Sequence, residues 1–347
     1  MKTKIIGAQT TFPKNRYSQK EIMGYLKQFW PDHEKVVDRF TDSAGVGSRN
    51  LVLPLKEYGS LAGIRSRQDA YNKQLTELQT INLKIIQNKI GFDWEDIGVL
   101  VSTTITGMMA PSLEALMMNR FPMARDLVRT PIFGLGCLGG VAAINRAHEF
   151  LKSRPDKLAL VLAHEACSLT FQFNDGSMAN MVGSSLFGDG VAAVIIAGEN
   201  HRLYKNSGLV INETRASFYP DTERIMGWDV VDTGFQIVLS GSVPDIVTKY
   251  VAQDLKNVNY NPEKFSFVVS HPGGPKVLVA LAEVTGKTKD DFRFSWESLF
   301  ENGNMSSVSV LNVLEKTLFE GKKSGEQGLM MAMGPAFNSE MTLVTWE

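Results

Sequence analysis

The chain has 347 residues but only two cysteines, Cys137 and Cys167, with no CxxC and no Cys/His group at metal-ligand spacing. That scarcity excludes a disulfide framework and argues against a zinc site; it suits a reducing compartment. Net charge is nearly absent, since 36 Lys and Arg stand against 37 Asp and Glu. No global basic field is available for nucleic acid or an anionic membrane surface, so a phosphate-bearing ligand needs a local patch. Long apolar runs are missing too. No segment approaches the roughly 18 apolar residues of a membrane span, and MKTKIIGAQTTFPKN is too weakly apolar for a secretion signal. Low-complexity tracts, linkers and close repeats do not occur. These absences predict a cytoplasmic globular protein with no metal, no nucleic-acid partner and no integral membrane association.

What is present is an alternation of strand and helix patterns, which places the chain in the α/β class. Strands are expected over Lys4–Gln9, Asp96–Thr106, Lys157–Ala163, Val191–Ala197, Leu209–Phe218, Phe235–Leu239, Phe265–Ser270, Gly328–Met333 and Met341–Trp346. Several are near-continuous apolar runs, as in sheets covered on both faces. Ser18 and Glu21 spell a capping box that opens a helix to about Trp30. Further helices are expected over Thr76–Ile90, with Leu78, Ile81 and Ile85 at helical spacing, and over Pro111–Phe121, Val243–Lys256, Pro275–Thr285 and Ser306–Phe319. Pro31–Ala70 reads as irregular, and its Arg39, Arg49, Arg65 and Arg67 are the place to look for a phosphate-binding rim. Ser168–Gly183 reads as a polar, methionine-bearing loop. Both halves end in comparable strand–helix–strand runs, which hints at two similar layers.

The stretch PIFGLGCLGGVAAINRAHEFL carries the candidate nucleophile. Pro131–Phe133 reads as the end of a short buried strand. Gly134, Gly136, Gly139 and Gly140 surround Cys137, and a helical pattern begins at Val141. A cysteine on a strand-to-helix turn sits by unpaired N–H groups and the positive end of a helix dipole, both of which favour thiolate. Two other readings apply to this stretch alone. The cysteine could be structural, or Gly134, Gly136 and Gly139 could be the GxGxxG of a dinucleotide site, with Glu165 as its ribose contact.

Two further turns narrow the choice. FSFVVSHPGGP runs a buried strand into His271 and a Pro-Gly-Gly turn, the right kind of place for a proton or hydrogen-bond donor. His33, His148 and His201 sit in exposed-looking polar contexts instead. ENGNMSSVSVL places Asn304 just before a helix, where its amide donates to a ligand or simply caps the helix, as Ser306 also would. A Cys, a His and an Asn in separate turns fit a nucleophile with two donors for an oxyanion.

With GCLGG at Cys137, LFGDG at Leu186–Gly190, HPGGP at His271–Pro275, GNMSS at Gly303–Ser307 and MGP at Met333–Pro335, the chain resembles the type III polyketide synthases. RTPIFGLGC, ACSLTFQ, LVLPLKEY and APSLEALMMNR are similar to the bacterial alkylresorcinol and alkylpyrone branch. The resemblance implies a thiolase fold, with duplicated αβαβα halves in a five-layered core: an N-terminal half over 1–200 with the nucleophile and a C-terminal half over 201–347 with the donors. It also implies a homodimer. By the same resemblance Cys137 carries the acyl chain, and His271 and Asn304 stabilise the enolate formed as malonyl-CoA loses CO₂. Phe187 matches a gatekeeping phenylalanine; Ile237 stands where plant enzymes have a second one. Cys167, Thr170 and Ser306 match positions at the cavity, and Ala110 replaces a methionine that reaches the partner's cavity. Arg39 matches a CoA contact, whereas Val36 and Ser43 replace lysines. The implied substrates are a medium- or long-chain acyl-CoA starter and malonyl-CoA, with no separate cofactor. The alternatives are a fatty-acid-type ketoacyl synthase served by acyl carrier protein, a dinucleotide-dependent oxidoreductase, or a non-catalytic member.

Overall fold

A computed structural model of the protein describes residues 1–258 and 261–347. It opens with β1 (Thr3–Thr11), β2 (Asn15–Ser18) and α1 (Gln19–Lys27). At α1 the expected capping box is made: Ser18 Oγ accepts from the Glu21 N–H, and the Glu21 carboxylate accepts from the Ser18 N–H. Then come α2 (Glu34–Ser43), β3 (Ser48–Leu51), α3 (Ile64–Ile90), β4 (Ile97–Thr104), α4 (Leu113–Arg120) and β5 (Val128–Phe133). The first half closes with α5 (Gly139–Ser153), β6 (Leu158–Ala166), α6 (Met178–Leu186) and β7 (Asp189–Gly198). The remainder holds β8 (Leu209–Phe218), the hairpin β9 (Met226–Val231) and β10 (Gly234–Leu239), α7 (Val243–Asn257) and β11 (Phe265–Ser270). It ends with α8 (Pro275–Thr285), α9 (Arg293–Asn302), α10 (Ser307–Glu320), β12 (Gln327–Gly334) and β13 (Asn338–Trp346).

The strand order is β11-β12-β13-β8-β1-β7-β6-β4-β5 in one continuous sheet. It repeats internally. β4 pairs β6 in parallel, and β6, β7 and β1 follow antiparallel. β11 likewise pairs β12 in parallel, and β12, β13 and β8 follow antiparallel. The two runs meet where β1 pairs with β8 over Thr3–Ile5. Strands β6 and β7 are buried at every residue, which is why their sequences centre on apolar runs, LALVLA and VAAVIIA, rather than alternating ones.

Helices α5 and α10 form the central layer. Ala143, Ile144, Val310 and Leu314 share one core cluster with Val161 of β6 and Met330 of β12. Outside them, α3 covers one run of strands, with Leu75, Leu83 and Ile86 in a second cluster, and α7 and α8 cover the other, with Val247, Val251 and Leu281 in a third. This is the layering of a duplicated thiolase fold.

Several expectations are corrected. Pro131–Phe133 is not buried: β5 is an edge strand, and Val128 and Phe133 are exposed. Pro31–Ala70 contains α2, β3 and the first two turns of α3. Ile81 and Ile85 point outward, because the buried stripe of α3 runs through Leu75, Gln79, Asn82 and Ile86. A polar residue can sit in that stripe when it is satisfied, as Asn82 is by donating to the Gln9 carbonyl at 2.8 Å. Ser168–Gly183 holds most of α6 rather than a plain loop. His148 and His201 are buried, bonded to Thr3 Oγ1 at 2.7 Å and to the Asp96 carboxylate at 3.1 Å.

Candidate active site

The two central helices start at the same place. A Cβ on Gly140, in the first turn of α5, would lie 2.5 Å from the Ser307 carbonyl oxygen at the start of α10. Only glycine permits that approach. It brings the cysteine turn, Gly134–Leu138, beside the Gly303–Ser306 turn. The strand β11 delivers the third residue: His271 follows its last residue, and its N–H donates to the Met331 carbonyl of β12 at 3.0 Å.

Cys137, His271 and Asn304 all line one cavity of about 510 Å³, within the range of sites that enclose a drug-sized ligand. Its walls are mostly apolar, from Phe187, Val182 and Met178 of the α6 region and from Met226, Trp228 and Ile237 of the hairpin. Exposed Arg39 and Lys276 line its outer end, together with Ser43.

Asn304 is held from both sides. Its backbone N–H donates to the Leu186 carbonyl at 2.7 Å, and its carbonyl accepts from Gly188 at 3.0 Å, so Phe187 and Asn304 form a bridge between the halves. Its side-chain oxygen accepts from the Ser306 N–H at 2.8 Å. The amide nitrogen donates to the Gly273 carbonyl at 3.3 Å, and its side chain also acts on the Cys137 sulfur, favouring thiolate.

Charge behaves differently here from the expectation of a resting thiolate. Burial pushes the Cys137 thiol up to about 12; the Ser306 side chain pulls the other way, and the nearby Glu165 charge adds to the rise. Burial also brings His271 down to about 3. Neither imidazole nitrogen has a hydrogen-bond partner, so the expected Cys137–His271 pair is not made in this state. The resting pair is therefore neutral thiol and neutral imidazole. Moving the proton from sulfur to imidazole creates both charges together, and their attraction offsets part of the desolvation that suppresses each alone. The helix dipole and local N–H groups pull toward thiolate, but the desolvation of the half-buried sulfur outweighs them.

Other expected residues fall in different places. Phe187, Ile237 and Arg39 line the cavity. Cys167 and Thr170 do not: both are buried behind it, with Thr170 Oγ1 donating to the Cys167 carbonyl at 2.7 Å. Ser306 is also outside the lining. It stands at the N-terminus of α10 with φ of 50° and its hydroxyl makes no capping bond. Ala110 is exposed and away from this chain's cavity. Of the four arginines expected at a rim, Arg49 and Arg67 are buried, and Arg65 is exposed but away from the cavity.

Glu165 is fully buried and accepts from Ser307 Oγ at 2.6 Å, Thr106 Oγ1 at 2.6 Å and the Ile105 N–H at 3.1 Å. It cannot meet a ribose, and α5 begins packed against α10 with no room for a pyrophosphate, which removes the dinucleotide reading. Among the described residues, no group of three or more His, Cys, Asp or Glu is placed to hold a metal ion, and no helix is long and apolar enough to cross a membrane.

The main omission from the sequence reading is Trp228. It lies opposite Ile237 across the hairpin, and its ring centroid is 5.6 Å from that of Phe187. The signal was available: Asp232-Thr233-Gly234 is a turn between two β-rich runs, MGWDVV and FQIVL. Lys276 was missed because it lies inside a helix pattern with nothing local to mark it.

Comparison with known proteins agrees with this geometry. The family model described as FAE1/type III polyketide synthase-like protein matches residues 13–214, and that for the C-terminal domain of chalcone and stilbene synthases matches 210–345. A 1,3,6,8-tetrahydroxynaphthalene synthase of Streptomyces peucetius subsp. caesius is 36% identical, covering 99% of this chain and 93% of the relative. A phloroglucinol synthase of Pseudomonas fluorescens is 30% identical, covering 96% and 97%. The crystal structure of the 1,3,6,8-tetrahydroxynaphthalene synthase of Streptomyces coelicolor A3(2) superposes with a TM-score of 0.93 at 28% identity, covering 99% of both chains.

Proposed function

This chain belongs to the type III polyketide synthases, and on that premise we propose that it builds a short polyketide on Cys137 from malonyl-CoA and closes it to a polyhydroxylated aromatic product. The observation that carries the reading is the placement of Cys137, His271 and Asn304 on one mostly apolar cavity, which Trp228 packed against Phe187 also lines. Relatives named for tetrahydroxynaphthalene and phloroglucinol support it. Those products carry no alkyl tail, and their alternating oxygens are what condensation of two-carbon units leaves behind.

The chemistry follows from the groups present. In loading, the Cys137 proton passes to His271, the thiolate attacks the thioester carbonyl, and the expelled CoA thiolate takes the proton back. In extension, the C–C bond to the malonyl carboxylate breaks and CO₂ leaves. The electron pair spreads onto the thioester oxygen, where N–H groups of His271 and Asn304 receive it. The resulting carbon nucleophile attacks the acyl-Cys137 carbonyl, the C–S bond breaks, and the electron pair returns to sulfur. Neutral His271 suits this step, since it donates without supplying a proton that would quench the enolate. Arg39 and Lys276 at the outer end meet the CoA phosphates.

A second reading keeps an alkyl starter, as in the alkylpyrone and alkylresorcinol branch. It is favoured by Ile237 in place of an aromatic gate and by Met178 and Val182 in the same wall. The exposed edge β5, with Val128 and Phe133, is assigned to the second copy of a homodimer. Product mass spectra separate the two readings. Malonyl-CoA alone should give the product; if product forms only when a medium or long acyl-CoA is added, the alkyl starter is correct.

A further inference from the structure

Arg49 lies in β3, outside the cavity lining, and is fully buried. A buried guanidinium is costly even when a charge opposes it, and an apolar side chain of similar size would usually stabilise the fold as well or better. Its contacts say what it does instead. Nη1 donates to the carbonyls of Ser184 and Phe187, both at 2.7 Å, at the C-terminal end of α6. Nη2 rests on the Met23 sulfur at 3.8 Å. Buried Asp189 supplies the opposing charge, itself fixed by the N–H groups of Val52 and Ser168 at 2.8 Å each.

The arginine's stem also touches the other half of the site. A Cβ on Gly303 would lie 2.8 Å from Arg49 Cδ and 2.5 Å from the Leu186 carbonyl oxygen. Gly188 is equally crowded, since a Cβ there would meet the Asn302 carbonyl oxygen at 2.3 Å. Arg49 thus braces the two short segments, Leu186–Gly188 and Gly303–Asn304, that pair through the Phe187–Asn304 bridge.

We propose that Arg49 is a positioning residue: by clamping two carbonyls at the end of α6 while its stem fills the gap beside Gly303, it sets the Asn304 donor and the Phe187 ring together. Lysine cannot replace it, because its stem is one bond shorter, so the ammonium falls short of the point where Nη1 meets both carbonyls, and it has no second nitrogen to rest on Met23. A misplacement of about 1 Å, transmitted from outside the chemistry, costs up to about 10²-fold in rate.

This inference rests on Asn304 being the decarboxylation donor, and the test is built to separate the two. Arg49→Lys, Arg49→Met, Asn304→Ala and the Arg49→Lys/Asn304→Ala double variant are compared in the full-length enzyme. CO₂ release from malonyl-CoA reports the donor, and iodoacetamide alkylation of Cys137, read by intact mass, reports the nucleophile. Arg49→Lys should lose about 10- to 100-fold in decarboxylation, with the alkylation rate held within about threefold. Arg49→Met should lose more; if it fails to fold, Arg49→Lys decides. The double variant should be no slower than Asn304→Ala alone, because a misaligned donor that is already absent costs nothing. Additive losses, an equal fall in alkylation, or wild-type decarboxylation in Arg49→Lys would overturn the proposal. An unimpaired Asn304→Ala would instead sink the donor assignment, and the role of Arg49 with it.

Discussion

Trp228→Ala tests the shape of the cavity directly. The indole stands opposite Ile237 on the hairpin and leans on Phe187 at 5.6 Å between centroids. Removing it forfeits an aromatic contact of about 0.5–1.5 kcal/mol and opens the wall facing Cys137. A saturated acyl chain gains roughly 0.8 kcal/mol for each methylene it buries, which is about fourfold in the specificity constant. If three methylenes lodge where the indole stood, the gain is about 2.4 kcal/mol, or roughly 60-fold. The expectation is therefore a change in preference rather than a general loss. In Trp228→Ala, kcat/KM for medium-chain acyl-CoA starters should rise against malonyl-CoA by about one to two orders of magnitude, while Trp228→Phe stays near wild type. The assay is product formation across acyl-CoA starters of increasing length, with the Cys137 acyl adduct followed by mass. A chain-length profile that is unchanged in Trp228→Ala would refute the argument that this side chain bounds the reaction space.

Cys137→Ala should abolish both acyl adduct and product, whereas Cys167→Ala, buried behind the cavity, should retain product within a few-fold; adduct mass and product yield decide between them. Asn304→Ala should lose about 10²–10³ in malonyl-CoA decarboxylation with Cys137 alkylation preserved, while His271→Ala should impair both; equal damage to alkylation from the two would contradict their division of roles. Acid should destabilise the fold early. His271 and His164 are held down to about 3, and His148 to about 4, by burial, so the unfolded chain binds more protons than the native one below the usual histidine pKa. The stability they contribute is complete above pH 6.5 and falls by about 1.4 kcal/mol per histidine per pH unit below it. Asp189, raised to about 6 by burial, titrates with the opposite sign, as do Glu165 and Glu315, which burial also raises, and together they offset part of this loss at lower pH. Melting temperature should therefore drop between pH 6.5 and 5.5; a flat profile there would rule out neutral buried imidazoles.

The parts of this molecule that were readable in its sequence are those where one local pattern carries the answer. Strands β6 and β7 are buried on both faces and so spell themselves largely as apolar runs. The Ser18–Glu21 capping box is a local hydrogen-bond exchange and appears as written. Cys137, His271 and Asn304 each sit in a turn whose glycines mark a special backbone, and the family motifs place them in one site. What was not readable depends on distant partners. Arg49 looks like any surface arginine until the carbonyls of Ser184 and Phe187 come into reach. The buried stripe of α3 is not legible because Gln79 and Asn82 face the interior, where Asn82 donates to the Gln9 carbonyl of β1. The ionisation of Cys137 is a similar case: a helix start is visible in sequence, but the desolvation that raises the thiol comes from residues far away in the chain.

The position of β1 has a consequence for how the protein is made. Thr3–Thr11 lies in the middle of the sheet, and its neighbours are β7, which begins at Asp189, and β8, which begins at Leu209. A ribosome adding about 5–20 residues per second needs roughly 10–40 seconds to add the roughly 180 residues between β1 and its first partner. Throughout that interval a nascent chain carries an apolar strand with both edges open, the state most prone to pair with the wrong chain. Yield in a foreign host should thus respond more to translation speed and to holding chaperones than to substitutions that strengthen the finished core.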